Sequence, residues 1–287
     1  MRLVTVLTDA GPRACAEYAG RYVDIQRAGA ELPSSVKGIL ALGPEGLKRV
    51  EAVLAIGPTS HDPSTCTLLA PVVDPGKIVC LGLNYREHAG ESGMDVPSIP
   101  ILFSKYPSSL VGQGAPIVLP RISDEVDFEA ELVVVIGVQG KNIPVDRAMG
   151  HVGGYMVGND VSARDWQLRR PGKQWMAGKT FDTFAPTGPS LVTSDEVPDP
   201  QSLRIRLRLN GETMQDSNTD AMIFRVDAIV AHLSTLFTLG PGDLIFTGTP
   251  PGVGMARKPP VWLKAGDQVE VEIDGLGTLT NPVEVEG

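Results

Sequence analysis

Apolar and polar residues alternate without a break in Leu203-Arg204-Ile205-Arg206-Leu207-Arg208-Leu209, the period-two pattern of a strand with one face in water. Shorter apolar runs at Ile78 to Leu83, Leu132 to Val138, Leu244 to Thr247 and Gln268 to Ile273 are bounded by Gly, Pro, Asn and Asp, and predict further strands. The opening run over residues 2–7 predicts another. Helical spacing is confined to Gly46 to Ile56, with Leu47, Val50 and Val53 on one stripe, and to Arg225 to Leu236. Gly57-Pro58-Thr59-Ser60 reads as a turn. Many strands, few helices, and 32 Gly with 24 Pro predict a mostly β fold with α elements (α+β) and long functional loops. The pattern changes near Pro71. Residues 1–70 are therefore expected to form a small N-terminal accessory domain and residues 71–287 the catalytic domain.

Composition narrows the class. With 42% hydrophobic and 21% charged residues over 287 positions, the chain can bury a sizeable core. A formal net charge of −9 repels nucleic acid and anionic membrane, so neither is an expected partner. Cys15, Cys66 and Cys80 are odd in number with no C-x-x-C pair, which suits a reducing compartment and excludes a disulfide framework. No apolar run approaches the roughly 20 residues that would span a bilayer. The expectation is a soluble, cytoplasmic protein.

The densest chemistry lies in Glu125-Val126-Asp127-Phe128-Glu129-Ala130-Glu131, which runs into the apolar Leu132 to Gly137. On a strand, Glu125, Asp127, Glu129 and Glu131 would share one face. Like charges stacked this closely need a positive partner, and a hard divalent cation takes several oxygen ligands. Gly153 to Asp160 reads as a second strand that brings Asp160 to the same end, with Lys179 or Arg164 to balance the charge. An acidic edge strand in water explains the spacing equally well.

His88 and Glu91 are three residues apart, so one helical turn would place them within hydrogen-bonding reach, a general base with its orienting acid. Gly90 and Gly93 weaken that helix and suggest a turn that orders over a site when substrate binds. Taken alone, a surface histidine paired with an exposed acid is the preferred reading. Gly178-Lys179-Thr180 is not a phosphate loop, because Lys173 stands where its first glycine is required. Gly248-Thr249-Pro250-Pro251-Gly252-Val253-Gly254 offers the Thr249 hydroxyl and backbone N–H groups to a carboxylate, or is a rigid turn.

From about Lys77 to the C-terminus these segments, in order, resemble the fumarylacetoacetate hydrolase family, and most closely its second type of domain-containing protein. The resemblance is carried by Gly82-Leu83-Asn84-Tyr85, Glu129-Ala130-Glu131-Leu132, Asn159-Asp160-Val161-Ser162-Ala163-Arg164-Asp165, Gly178-Lys179-Thr180-Phe181-Asp182 and the Gly248–Gly254 loop. It implies a β-roll-like catalytic domain, a homodimer and a small 2-oxo or 2,4-dioxo acid as substrate. It also implies Mg²⁺ or Mn²⁺ on Glu129, Glu131 and Asp160, with Lys179 beside a developing oxyanion. His88 and Glu91 would form a dyad on a mobile lid, and Tyr85, Arg164, Gln167 and Thr249 would meet substrate. The preferred reaction is hydrolysis of a C–C bond in an acylpyruvate, with His88 activating water. Oxaloacetate decarboxylation or keto–enol tautomerisation on the same site is the alternative. A metal-stabilised scaffold without catalysis is disfavoured, because His88, Glu91 and Lys179 are all present.

Overall fold

The structure, a computed structural model, describes residues 1–54, 60–91, 93–172 and 174–287. Most of the turn expected at residues 57–60 lies outside the described residues, and Ser60 itself opens a strand. The N-terminal part contributes strands β1 (Arg2–Thr8), β2 (Gly11–Tyr18), β3 (Arg21–Asp24), β4 (Ser60–His61) and β5 (Leu68–Leu69). Helices α1 (Ile25–Ala28), α2 (Val36–Ala41) and α3 (Gly43–Leu54) lie between the third and fourth strands. Next come β6 (Ile78–Gly82), α4 (Arg86–Glu91), β7 (Ile101–Ser104), β8 (Leu110–Val111) and β9 (Ile117–Leu119). The carboxylate-rich stretch forms β10 (Val126–Asp127) and β11 (Ala130–Ile136), followed by β12 (Val152–Asn159), β13 (Ser162–Ala163) and α5 (Trp175–Lys179). The chain closes with β14 (Ala185–Thr193), β15 (Arg204–Leu209), β16 (Glu212–Asn218), α6 (Val226–Leu236), β17 (Leu244–Phe246), β18 (Gln268–Ile273) and β19 (Gly277–Val285). This is the expected α+β class.

A 12-stranded sheet runs β4-β3-β2-β1-β14-β12-β11-β17-β6-β7, with β5 on β1 and β8 on β14. A five-stranded sheet runs β16-β15-β18-β19-β9. Every residue of β11 is buried, as its Val-rich sequence requires of a strand covered on both faces. One face carries Leu132, Val134 and Ile136 into a core shared with β15 and β18; the other carries Val133 and Val135 against Leu3, Ile39 and Val50. The N-terminal strands are continuous with this sheet, because β1 pairs antiparallel with β14 at Arg2↔Val192 and Leu3↔Leu191. The alternating stretch at 203–209 appears as β15, with Ile205, Leu207 and Leu209 inside. Its outward Arg206 and Arg208 converge on Glu272 of the neighbouring strand, at 2.6 and 2.5 Å. Among the described residues, no helix is long and apolar enough to cross a membrane.

The run from Glu125 to Glu131 is not the single strand that its alternation suggests. β10 pairs with β13 in a separate two-stranded ribbon, and β11 starts only at Ala130. Side chains replace ladder partners at the break: Asp127 Oδ1 accepts from Phe128 N–H at 2.8 Å, and Asn159 Oδ1 from Glu129 N–H at 2.9 Å. The four acids therefore part company. Glu125 goes to the surface and pairs with Arg169, while the other three turn inward.

Candidate active site

Glu129 and Glu131 flank the first residue of β11, and Asp160 follows the last residue of its neighbour β12. Pairing Ala130 with Asn159 brings the three carboxylates together. All three are buried, and one oxygen of each lies within 4.8 Å of the others. The structure thus brings these three acids to one place. Asp127, also buried, joins it as a fourth carboxylate.

Three buried cations answer these four carboxylates, which leaves one negative charge over. Lys179 Nζ donates to Glu129 Oε2 at 2.6 Å and to Asp160 Oδ2 at 2.9 Å. Arg164 Nη2 donates to Glu129 Oε1 at 2.7 Å, and its Nε to Asp127 Oδ2 at 2.8 Å. Lys105, which the sequence reading did not single out, stands 2.7 Å from Asp160 Oδ1. Burial alone would raise the Glu129 carboxyl, but Lys179 and Arg164 outweigh it and hold it at about 2. Burial pulls the Lys179 ammonium down, and Asp160 and Glu129 more than restore it. Burial also draws Lys105 down, and there it prevails.

Glu131 receives no such help. It takes one hydrogen bond, from Gly248 N–H at 2.7 Å, and burial beside Asp160 and Glu129 pushes its carboxyl well above the ordinary range. A buried cluster short of one positive charge, made wholly of hard oxygen donors, fits a hard divalent cation.

The cavity over these acids has a volume of about 60 Å³. His88 closes it from α4, its Nδ1 2.7 Å from Glu91 Oε1. A carboxylate only accepts, so Nδ1 carries the proton and Nε2 is the basic nitrogen. Glu91 also accepts from Gly252 N–H, at 2.9 Å to Oε2, which docks the helix on the glycine loop. The weak turn expected from Gly90 is a formed helix, Arg86–Glu91, held by that contact. Gly252 has φ +105°, and a Cβ there would meet Met214 O at 2.3 Å, so only glycine presents its N–H this way. Another part of the wall is apolar, with Trp175 packed so closely on Gly82 that a Cβ would stand 2.1 Å from its ring.

The expected substrate contacts fare unequally. Arg164 and Gln167 line the cavity, but Arg164 Nη1 donates to Gln167 Oε1 at 2.9 Å. That bond fixes the amide orientation and turns the Gln167 NH₂ outward as a donor. The Thr249 hydroxyl is already committed, donating to Ala130 O at 2.9 Å and accepting from Gln215 Nε2 at 2.9 Å. What Thr249 has left for a carboxylate is its backbone N–H. Tyr85 is corrected outright. It is buried outside the wall of this cavity, and lines a separate one with Arg86 and Met222. Lys105, Gln215 and Gly252 have roles that the sequence does not signal, since each depends on a contact distant along the chain.

Residues 77–284 match the family described as fumarylacetoacetate (FAA) hydrolase C-terminal. The chain is 50% identical over 264 residues to oxaloacetate tautomerase fahd2, mitochondrial, of Xenopus laevis, covering 92% of this chain and 83% of that one. It is 49% identical over 276 residues to oxaloacetate tautomerase FAHD2A, mitochondrial, of Bos taurus, covering 96% and 88%. A fumarylacetoacetate hydrolase from psychrophilic Exiguobacterium antarcticum superposes with a TM-score of 0.85 at 35% identity, over 100% of both chains. The names of the two tautomerases place those proteins in mitochondria, which overturns the cytoplasmic expectation. A cysteine count reports redox state, and more than one compartment is reducing.

Proposed function

The chain belongs to the fumarylacetoacetate hydrolase family as a member of its FAHD2 type, and we propose that it interconverts the keto and enol forms of oxaloacetate or a similarly compact 2-oxo dicarboxylate. The observation that carries this reading is that His88 of the dyad lines one cavity with Glu129, Glu131 and Lys179, a proton-transfer group beside an enolate-stabilising site. Tautomerisation needs only that proton transfer and no attacking water, so the C–C hydrolysis preferred from sequence gives way to its alternative. The relatives named oxaloacetate tautomerase support the same choice.

Glu129, Glu131 and Asp160 would hold a divalent cation, which supplies Lewis acidity toward the 2-oxo and neighbouring carboxylate oxygens. His88 Nε2 takes a proton from the methylene carbon, and Glu91 stabilises the resulting imidazolium through Nδ1–H. The electron pair moves onto the carbonyl oxygen, where the Lys179 ammonium stabilises the charge. Return of the proton from Nε2 to that oxygen gives the enol, and the reverse sequence gives the keto form. The Thr249 N–H and the Gln167 amide bind carboxylate oxygens and keep the methylene carbon under the imidazole.

The test follows enol absorbance and pyruvate together after adding oxaloacetate, with an acylpyruvate in parallel. Rapid enol exchange without pyruvate is expected. Pyruvate appearing as fast as the enol decays, or faster cleavage of the acylpyruvate, would defeat the proposal. Lys179→Met should lower kcat/KM by about 10²–10³-fold, the usual cost of losing an oxyanion donor. Mn²⁺ should remain bound, because the change removes a competing cation; loss of Mn²⁺ would mean that Lys179 supports the carboxylates instead. We also propose a homodimer, which light scattering at micromolar concentration would refute by giving a monomer mass.

A further inference from the structure

We propose that Lys105 is a positioning residue of the metal site, locking Asp160 and Lys179 into one arrangement from beneath. The proposal rests on the metal reading of the three carboxylates, and is independent of the reaction they serve. Lys105 follows β7 and its side chain is wholly shielded from water. Its Nζ donates to three backbone carbonyls: Val161 O at 3.0 Å, Phe184 O at 2.7 Å and Lys179 O. A neutral amine has two N–H bonds, so three acceptors and an ion pair require the ammonium.

The partners belong to three segments that meet behind the site. Val161 is the residue after the candidate ligand Asp160. The Lys179 carbonyl belongs to the residue whose own Nζ bridges Glu129 and Asp160. Phe184 leads into β14. Asp160 is thereby held between two cations, Lys105 at Oδ1 and Lys179 at Oδ2. A buried ammonium is costly and is kept where its contacts are complete, as they are here. Without it, the Val161 and Lys179 carbonyls lose this donor, Phe184 O keeps only the Val161 N–H, and Asp160 is left to the Lys179 ammonium alone.

Electrostatics and positioning predict opposite signs for Lys105→Met. Deleting a cation 2.7 Å from a ligand oxygen should tighten binding of a divalent ion on charge grounds alone. Loss of positioning should weaken it by about 10–100-fold, the usual consequence of removing an outer partner of a ligand. Calorimetric titration of Mn²⁺ into chelator-stripped protein, with thermal unfolding run alongside, reads the sign directly. We expect a weaker Kd and a smaller rise in Tm on adding Mn²⁺ than in wild type. Unchanged or tighter Mn²⁺ binding by the folded variant overturns the proposal, because a merely structural lysine would lower Tm without moving Kd. Should Lys105→Met fail to fold, Lys105→Gln keeps two donors without the charge; an affinity weaker than wild type supports positioning, and one at or above wild type refutes it. No substrate is involved, so the tautomerase reading stands or falls separately. Wild-type protein that binds no Mn²⁺ would defeat the metal reading and this proposal together.

Discussion

His88→Ala should slow keto–enol exchange of oxaloacetate by about 10²–10⁴-fold, the usual contribution of a positioned general base. The imidazole contributes one basic nitrogen to the cavity, and Glu91 dictates which one it is. Among the described residues that line the cavity, Glu131 would be taken up by the divalent ion, and two other ionisable groups are poorly suited to replace the imidazole. Glu129 is held at about 2 by its cations, and Lys179 is kept protonated by two carboxylates. The substitution leaves Glu129, Glu131, Asp160 and Lys179 untouched, so Mn²⁺ affinity and inhibition by oxalate should persist. Stopped-flow measurement of enol absorbance gives the rate, and a residual rate within about threefold of wild type is too small a change for a lost base. Glu91→Gln should have a partial effect, since it leaves the ring in place while removing the carboxylate that stabilises the imidazolium.

Glu131→Gln should abolish activity by removing the divalent ion while making the metal-free protein more resistant to heat. The charge is deleted where burial and two neighbouring carboxylates disfavour it most, and the side-chain volume is kept. The amide oxygen can still accept from Gly248 N–H, so no donor is stranded. Mn²⁺ binding should weaken by at least about 100-fold, the upper end for outer partners and a lower bound for a ligand. Differential scanning calorimetry with and without Mn²⁺ separates the two effects. Wild type should gain Tm on adding metal, whereas the variant should start higher and gain nothing. A variant that keeps both Mn²⁺ binding and turnover would exclude Glu131 as a ligand.

The sequence disclosed what depends on near neighbours along the chain. Strict alternation at 203–209 marks β15, because its partners leave one face wet and cover the other. Spacing marked Glu129 and Glu131 among four acids without separating a metal site from a wet edge; the family resemblance singled them out with Asp160, and the register of β11 on β12 is what brings the three together. The break at Phe128–Glu129 was hidden, since it depends on Asn159, a side chain 30 positions away, replacing a ladder partner. Lys105 was hidden for the same reason. Nothing beside it along the chain announces three carbonyls drawn from 56 to 79 residues away. The Thr249 hydroxyl looked free because its acceptor, Ala130 O, and its donor, Gln215, both arrive through folding.

The pairing of β1 with β14 bears on how this protein can be trimmed. The family match begins at residue 77, an inviting place to cut. A chain starting there would expose the Leu191–Val192 edge of β14, a ready template for strand addition. It would also strip Leu3, Ile39 and Val50 from Val133, Met156 and Phe246, leaving a greasy face on the strands that carry the acids. Such a fragment should precipitate or assemble edge to edge, however faithfully it encodes the catalytic residues.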